Sequence, residues 1–287
     1  MSRISQLTSQ LSRRLGGPLD APTLCLHLAP TRLSWALRRR GRMLAEGAGQ
    51  LVIDNADAGW PQALAALRAW LAQADRPGAG LPLALALASR WCHTMVAPWS
   101  DAMLTPAGAS RFLGTQMAAL YGEAARGWAV TSDDAPYGQP RLACGIDATL
   151  LHGLEAAARA HGHRWRAIEP VLSVAWRALA PERPRAFAIV EAGRLLMGAA
   201  QGDRIVALHT QPCPAHWELE LAPAWQRWSL RAPQLADIGQ VRLLDLSDGA
   251  AGPPPAMFVP GGPPAGPLAA LGGGYAALAM MGQSAWA

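Results

Sequence analysis

The pattern strand, tight turn, strand, turn, strand occurs twice in this chain of 287 residues. The first copy reads CLHLAPTRLSWALRRRGRMLAEGAGQ from residue 25, and the second reads AIVEAGRLLMGAAQGDRIVALHTQ from residue 188. In this alignment His27 and Glu191 occupy equivalent places. Each copy continues into segments that predict a helix and a strand, so the repeat indicates a duplicated α/β unit. Its period is far longer than the about 20–50 residues of a solenoid repeat.

Hydrophobic periodicity and turn residues divide the rest of the chain into strands and helices. In the first half we predict strands at 23–28, 31–37 and 42–53, a helix at 57–75, strands at 81–88 and 91–99, a helix at 105–121, a hairpin of 128–134 with 141–147, a helix at 148–162 and a strand at 164–168. In the second half we predict a helix near 170–180, strands at 186–193, 194–202 and 203–212, a helix at 214–230, a strand at 241–246 and a helix at 268–282. Thr105 followed by Pro106 fits a helix cap and first helical residue.

Two segments differ from this alternation. Residues 249–267 are dominated by glycine and proline, which predicts a loop rather than an element. Residues 1–20 carry apolar side chains at helical spacing and arginines at other positions, which predicts a short amphipathic segment. Such a segment either packs on its own domain or docks at a partner or a membrane surface.

All 25 basic residues are arginines. Without lysine the chain cannot use a Schiff base, a P-loop lysine or a kinase-type lysine, and the enzyme classes that depend on these groups are excluded. The formal net charge is +5, and the arginines are spread along the chain. Mild basicity permits an anionic partner without identifying one.

The four cysteines, Cys25, Cys92, Cys144 and Cys213, are far apart and form no CxxC pair. This usage predicts a reducing compartment and no disulfide framework. The N-terminal sequence has no continuous apolar core of a secretory signal. No apolar run approaches the about 18 residues that a membrane-spanning helix needs. We therefore expect a soluble cytoplasmic protein.

Histidine and cysteine could form a zinc site from His161, His163, Cys213 and His216. The spacing lacks the paired CxxC or HxxxH that characterises such sites. We therefore expect no metal, and we place His161 and His163 at a helix end near Gly162.

Tryptophan and arginine are clustered in two further places. Trp217, Trp225 and Trp228 fall on roughly one face of a predicted helix that also carries arginines, so they either pack inside the domain or form an interface. The run Arg38–Arg40 lies at a hairpin turn, where it is a solvated tip or a contact for acidic protein or lipid head groups. No nucleic-acid-binding module accompanies it, so nucleic acid is not an expected partner.

The order of elements resembles the actin-like superfamily, which includes actin, Hsp70 and sugar kinases. Within it, the chain is similar to the type IV pilus assembly protein PilM and to the cytoplasmic domain of the type II secretion protein GspL. The resemblance depends on the hairpins at 24–37 and 186–200, on the strand pair in LPLALALASRWCHTMVAPW and on the closing LAALGGGYAALAMMG.

The resemblance implies an α/β fold of the duplicated actin-like (ribonuclease H-like) kind, with two lobes around a cleft. The first lobe would cover residues 21–180. The second would cover residues 181–287, including the loop at 249–267 and a C-terminal helix.

In nucleotide-binding members of the superfamily both hairpin turns carry Asp-x-Gly. Here the first turn has His27 and Ala29 in those places, whereas the second has Glu191 and Gly193. Imidazole is a poor magnesium ligand compared with a carboxylate, and alanine lacks the freedom of glycine to adopt positive φ beside a phosphate. Gly272, Gly273 and Gly274 resemble the glycine segment near adenosine. They either support residual nucleotide binding or allow close packing of the last helix.

By this resemblance we expect a vestigial cleft with no catalytic residue, no metal and no resident ATP. The function implied is that of a scaffold at the inner face of the bacterial inner membrane, docked to a pilus or secretion subunit through a cytoplasmic peptide. Peripheral membrane association is compatible with this function. The alternative is an active actin-like ATPase or small-molecule kinase that uses Glu191 in place of the usual aspartate.

Overall fold

The structure is a computed structural model that describes residues 22–182, 184–232, 235, 237–247, 252–262, 267–268, 271 and 273–283. Its strands are β1 (Thr23–Ala29), β2 (Arg32–Arg39), β3 (Arg42–Val52), β4 (Leu83–Leu87), β5 (Cys92–Ala97), β6 (Trp128–Ser132), β7 (Arg141–Asp147), β8 (Trp165–Pro170), β9 (Ala186–Glu191), β10 (Arg194–Gln201), β11 (Arg204–Pro212), β12 (Val241–Asp245) and β13 (Phe258–Pro260). Its α-helices are α1 (Trp60–Leu71), α2 (Pro106–Tyr121), α3 (Ala148–Ala160), α4 (Val171–Leu179), α5 (Trp217–Ser229) and α6 (Ala276–Gln283).

Two five-stranded sheets share one topology. The first has the strand order β3-β2-β1-β4-β8 and the second has the order β11-β10-β9-β12-β13. In each sheet the three meander strands are antiparallel, and the two strands that follow are parallel to the first meander strand. The duplicated α/β fold that the repeat predicts is therefore confirmed.

A third sheet, with the order β5-β7-β6, is inserted after β4. Both outer strands run antiparallel to β7, and α2 packs against this sheet through Leu113 and Met117. Thr105 caps α2 as predicted, since its hydroxyl accepts a hydrogen bond from the Gly108 N–H at 3.1 Å.

The core consists of layers, because the central strands are buried on both faces. Along β1, Leu24, Leu26 and Leu28 face α1 and α3, whereas Cys25 lies on the opposite face. Helices α4 and α6 fill the space between the two large sheets, and α5 covers the outer face of the second sheet. This alternation explains why β1 reads as an almost continuous apolar run.

The tryptophans of α5 belong to the core. Trp217, Trp225 and Trp228 are all buried beneath the second sheet, together with Leu221. Of the two interpretations left open by the sequence, packing inside the domain is therefore correct.

Two sequence predictions differ from the structure, and a third is not tested by it. Residues 258–260 form the short strand β13, although they lie in the segment predicted to be a loop, because they pair with β12 at the sheet edge. The last α-helix begins at Ala276 rather than near residue 268, since residues 273–275 form a 3-10 turn. The amphipathic segment predicted at 1–20 lies outside the described residues. Among those described, no helix is both long and apolar enough to cross a membrane.

The pairing of β9 with β10 generates a stability prediction. Gly198 lies opposite Phe187, and a Cβ at Gly198 would overlap the Phe187 ring. We expect Gly198→Ala to lower the free energy of unfolding by about 1–3 kcal/mol, the usual cost of overpacking a core. The measurement is urea unfolding followed by circular dichroism.

The matched control is Gly114→Ala in α2, where an added Cβ meets no atom within 4 Å. This variant should be more stable by about 0.4–1 kcal/mol, because alanine restricts the unfolded chain. Equal stability of Gly198→Ala and the unaltered protein would contradict the packing described for this strand pair.

Candidate functional site

A small cavity lies where the two hairpin turns face each other. Its walls come from the β1–β2 turn, the β9–β10 turn, the segment after β4, Leu246 and the beginning of α6. The two halves of the duplicated fold therefore both contribute to it, as a cleft between lobes requires.

The strand registers correct the predicted equivalence of the two turns by two residues. Ala29 pairs with Arg32 across the first turn, and Glu191 pairs with Arg194 across the second. Glu191 therefore corresponds to Ala29, not to His27. The alignment was wrong because the first turn consists of Pro30 and Thr31 alone, so that β1 extends two residues beyond His27.

When the two turns are aligned by these registers, Thr31 is the residue equivalent to Gly193. Gly193 has φ +75°, a conformation that glycine adopts without strain. The first turn is instead stabilised by the buried side chain of Asn55, whose Nδ2 donates to the Pro30 carbonyl at 2.9 Å. Neither the carboxylate nor the glycine of an Asp-x-Gly turn is present in the first half.

Glu191 links the two halves. Both of its carboxylate oxygens accept from the backbone N–H of Ser89, at 3.2 and 3.1 Å, across 102 positions of sequence. Burial raises the pKa of Glu191, whereas the contacts with Ser89 and the charge of Arg194 lower it. The Ser89 hydroxyl is buried beside the carboxylate, and none of the described residues offers it a hydrogen-bonding partner in suitable geometry.

His27 is held in its neutral form. It is 6% exposed on the wall of the cavity, and its Nε2 has no hydrogen-bond partner among the described residues. Burial, with a smaller effect of Arg32, lowers the pKa of His27 from 6.5 to about 4. A buried neutral imidazole cannot replace the carboxylate that holds magnesium in an Asp-x-Gly turn.

Side chains from the first sheet pack against the glycine segment before α6. A Cβ at Gly274 would overlap the guanidinium of Arg32 and the amide of Gln50, and the Gly274 carbonyl accepts from the Ser34 hydroxyl at 3.1 Å. Gly274 therefore serves close packing, the second of the two interpretations offered by the sequence. Gly273 lies in the 3-10 turn, and Gly272 lies outside the described residues.

The cavity has a volume of about 20 Å³, measured as the space open to the centre of a water-sized sphere. That is room for about one water molecule, whereas pockets for small organic ligands measure about 300–1,000 Å³. The residues present do not fit a magnesium nucleotide, because the space is filled by Arg32 on one side and by the Glu191–Ser89 contact on the other.

Three arginines that the sequence reasoning missed also line this cavity: Arg32, Arg90 and Arg194. Arg32 and Arg194 occupy the same position in the two hairpins, directly after the turn. The repeat could have revealed this pair once the register was known. Arg90 and Ser89 lie in a turn between two strands, where no sequence pattern marks them.

The remaining candidates lie elsewhere. His163 has hydrogen-bonding partners at both ring nitrogens, the Leu81 carbonyl at 2.8 Å from Nδ1 and the Arg76 guanidinium at 2.7 Å from Nε2. In the described part of the chain, no three His, Cys, Asp or Glu side chains are placed to hold a metal ion. At the β2–β3 turn Arg39 and Arg40 are exposed, whereas Arg38 is 9% exposed.

Solved structures share this architecture. The cytoplasmic domain of EpsL, an inner-membrane component of the type II secretion system of Vibrio cholerae, matches with a TM-score of 0.55 and 13% identity, covering 92% of this chain and 94% of that chain. The PilM-PilN type IV pilus biogenesis complex gives a TM-score of 0.54 at 12% identity, covering 78% of this chain and 81% of the other. A Bacteroides thetaiotaomicron protein with an actin-like ATPase fold gives 0.50 at 10% identity, covering 79% and 82%.

No protein-family model matches the sequence, and no curated protein matches it. The structural likeness shows the fold. The expected resemblance to the actin-like superfamily, with its GspL and PilM branches, is confirmed at that level.

The contact between Glu191 and Ser89 generates a second prediction. Glu191→Ala should lower the free energy of unfolding by about 1–3 kcal/mol, because it leaves a buried backbone N–H without an acceptor. Glu191→Gln should cost less, since its carbonyl oxygen can still accept that hydrogen bond. The measurement is thermal and urea unfolding at pH 7, and equal stabilities of the two variants would contradict the role of the hydrogen bond.

Proposed function

We propose that this actin-like chain is a non-catalytic cytoplasmic scaffold that docks to an inner-membrane component of a type IV pilus or type II secretion-like apparatus. The observation that carries the proposal is the small volume of the cleft. A cavity of about 20 Å³ cannot take up a nucleotide, so the surfaces of the fold, rather than its cleft, are left to perform the function.

The chemistry of the cleft supports the same conclusion. Hydrolysis of a nucleotide requires groups that hold magnesium and orient water on both sides of the phosphates. The first turn offers Ala29 and Thr31 at the equivalent positions, and the second offers a carboxylate that is already bound to the Ser89 N–H.

The structural neighbours suggest the kind of partner. EpsL is described as an inner-membrane component of a secretion system, and PilM is described in a pilus biogenesis complex with PilN. A scaffold of this type needs only a preformed surface that receives a peptide from its partner, and such recognition requires no catalytic group. We therefore propose a location at the inner face of the inner membrane.

Capture from membranes tests the proposal. The full chain, carrying an affinity tag, is expressed in its native cells, purified from detergent-solubilised membranes and analysed by mass spectrometry. We expect inner-membrane subunits of a pilus or secretion apparatus to be enriched over a mock purification from untagged cells. Recovery of no such subunit would refute the scaffold proposal.

The rival function is an actin-like ATPase or kinase that uses Glu191, the carboxylate retained in the cleft. Thermal unfolding with and without millimolar Mg-ATP discriminates between the two. Binding at 100-fold excess over Kd would add about 2.7 kcal/mol to the stability of the native state. We expect no shift of the midpoint; a magnesium-dependent shift that Glu191→Ala abolishes would favour the enzyme.

A further inference from the structure

Exposed arginines collect at one end of the first sheet. The parallel strands β1, β4 and β8 all begin at this end, where Leu24, Leu83 and Trp165 lie side by side in register. The β2–β3 turn lies at the same end, because Thr23 at the start of β1 pairs with Arg38 near the end of β2. We call this surface the basic end, and it is defined by the exposed residues Arg39, Arg40, Arg42, Arg159 and Arg164.

The last two of these arginines reach the basic end through α3. Arg159 lies in the last turn of that helix, and Arg164 directly precedes β8. The Arg164 carbonyl accepts from the Leu83 N–H at 2.9 Å, which fixes it beside the start of β4. Because adjacent strands are about 4.8 Å apart, the five strands span about 19 Å. The arginines of the β2–β3 turn and those that follow α3 therefore share one surface of the protein.

Charge in the first half is polarised along the strands. Two carboxylates accompany the arginines of the basic end, those of Glu46 in β3 and Asp75 in the loop before β4. The exposed Asp54 and Asp57 follow β3, and Glu169 is in the last turn-ward part of β8, so these carboxylates lie at the opposite end of the sheet. The basic end therefore presents an excess of positive charge to any surface that it faces.

The segment predicted to be amphipathic is attached to the basic end. Pro22 is exposed, and Thr23 begins β1 beside the arginine-bearing turn. Residues 1–19 contain three arginines and no acidic residue, and their apolar side chains recur at helical spacing. The chain between Leu15 and Thr23 spans at most about 30 Å when fully extended. Wherever residues 1–15 lie, they stay within that reach of the basic end.

We propose that the basic end and residues 1–20 together bind the anionic phospholipid surface of a membrane. The arginines contact the lipid phosphates, and the apolar side chains of the segment enter the boundary between head groups and acyl chains. This inference goes beyond the proposed scaffold function, because it assigns a direct contact with lipid that needs no partner protein.

The combination of the two features favours lipid over other anionic partners. An apolar stripe with arginines on the remaining positions is typical of segments that lie in a membrane interface, and a weak apolar anchor becomes stable when a polybasic patch accompanies it. Each arginine near an anionic membrane strengthens binding about fivefold. A nucleic acid could pair with the arginines, but its phosphate backbone offers no place to bury the apolar stripe.

The inference fixes an orientation. The β1–β2 turn in the wall of the cavity lies at the other end of β1 from the basic end. Strand β1 has 7 residues, and at about 3.3 Å per residue it is about 20 Å long. The cavity would therefore face away from the lipid.

Co-sedimentation of the full chain with vesicles tests the inference. The vesicles contain phosphatidylcholine mixed with the anionic lipid phosphatidylglycerol, or phosphatidylcholine alone. One variant combines Arg39→Gln with Arg42→Gln, and its control combines Arg111→Gln with Arg231→Gln, which removes the same charge from exposed residues of α2 and of the segment after α5. Arg39 and Arg42 are exposed and directly opposite each other, so their substitution relieves a like-charge pair and is not expected to unfold the protein.

We expect the unaltered chain to sediment with the phosphatidylglycerol vesicles and at least about tenfold more weakly with phosphatidylcholine alone. The Arg39 and Arg42 variant should bind about 10–25-fold more weakly, since two contacts with the anionic surface are lost. The control should remain within about twofold of the unaltered chain. Absence of binding to the anionic vesicles, or equal weakening by both double variants, would overturn the inference.

A third variant tests the contribution of the N-terminal segment. Leu7→Gln combined with Leu11→Gln keeps the charge and removes half of the apolar stripe. We expect binding to the anionic vesicles to fall at least about tenfold, because the segment then buries less apolar surface. Undiminished binding would overturn the two-part surface.

Native membranes distinguish lipid from an acidic protein. Retention of the unaltered chain by isolated inner membranes but not by vesicles made from their extracted lipids would overturn the inference in favour of a protein partner. Since the vesicles contain no partner, the inference and the scaffold function fail separately. Binding to vesicles without capture of a pilus or secretion subunit would support the lipid surface and refute the scaffold, and the reverse result would do the opposite.

Discussion

The hydrogen bonds from the Ser89 N–H to Glu191 determine what the space between the halves can do. A carboxylate at the end of a strand in such a cleft can bind a ligand only if it is not already hydrogen-bonded to another group of the protein. Here it accepts from the backbone of the opposite half, and the cost of burying it is partly offset by those hydrogen bonds and by Arg194. The small volume of the cavity and the neutral His27 are both features of the space around this contact.

Much of the fold could be predicted from the sequence because its signals are local. The two meanders, the apolar run of β1 and the Thr105 cap of α2 depend on residues a few positions apart, and all appear as expected. The short strand β13 was missed because its three residues acquire strand geometry only from their pairing with β12. The sequence could not decide whether the α5 tryptophans are buried, since an apolar helix face can pack either in the core of its own domain or against a partner protein.

The site could be predicted only in part. Glu191 and His27, which the sequence singled out, both line the cavity, but the sequence comparison aligned them with each other, because the length of a turn cannot be read from the letters Ala-Pro-Thr. Ser89 and Arg90 were missed because their roles come from contacts with residues about a hundred positions away. The first turn lacks Asp-x-Gly in both the predicted and the corrected alignment of the two turns. The expectation of an altered cleft therefore did not depend on the alignment error.

The position of α6 has a consequence for the order of events during synthesis. This helix packs on the first sheet from the middle layer, with Gly282 lying directly over Met43. Until residues 276–283 have left the ribosome, the inner face of the first sheet lacks part of its cover, although its strands were made more than a hundred residues earlier. The first half therefore exposes apolar surface through most of translation, which is the circumstance in which nascent chains bind chaperones.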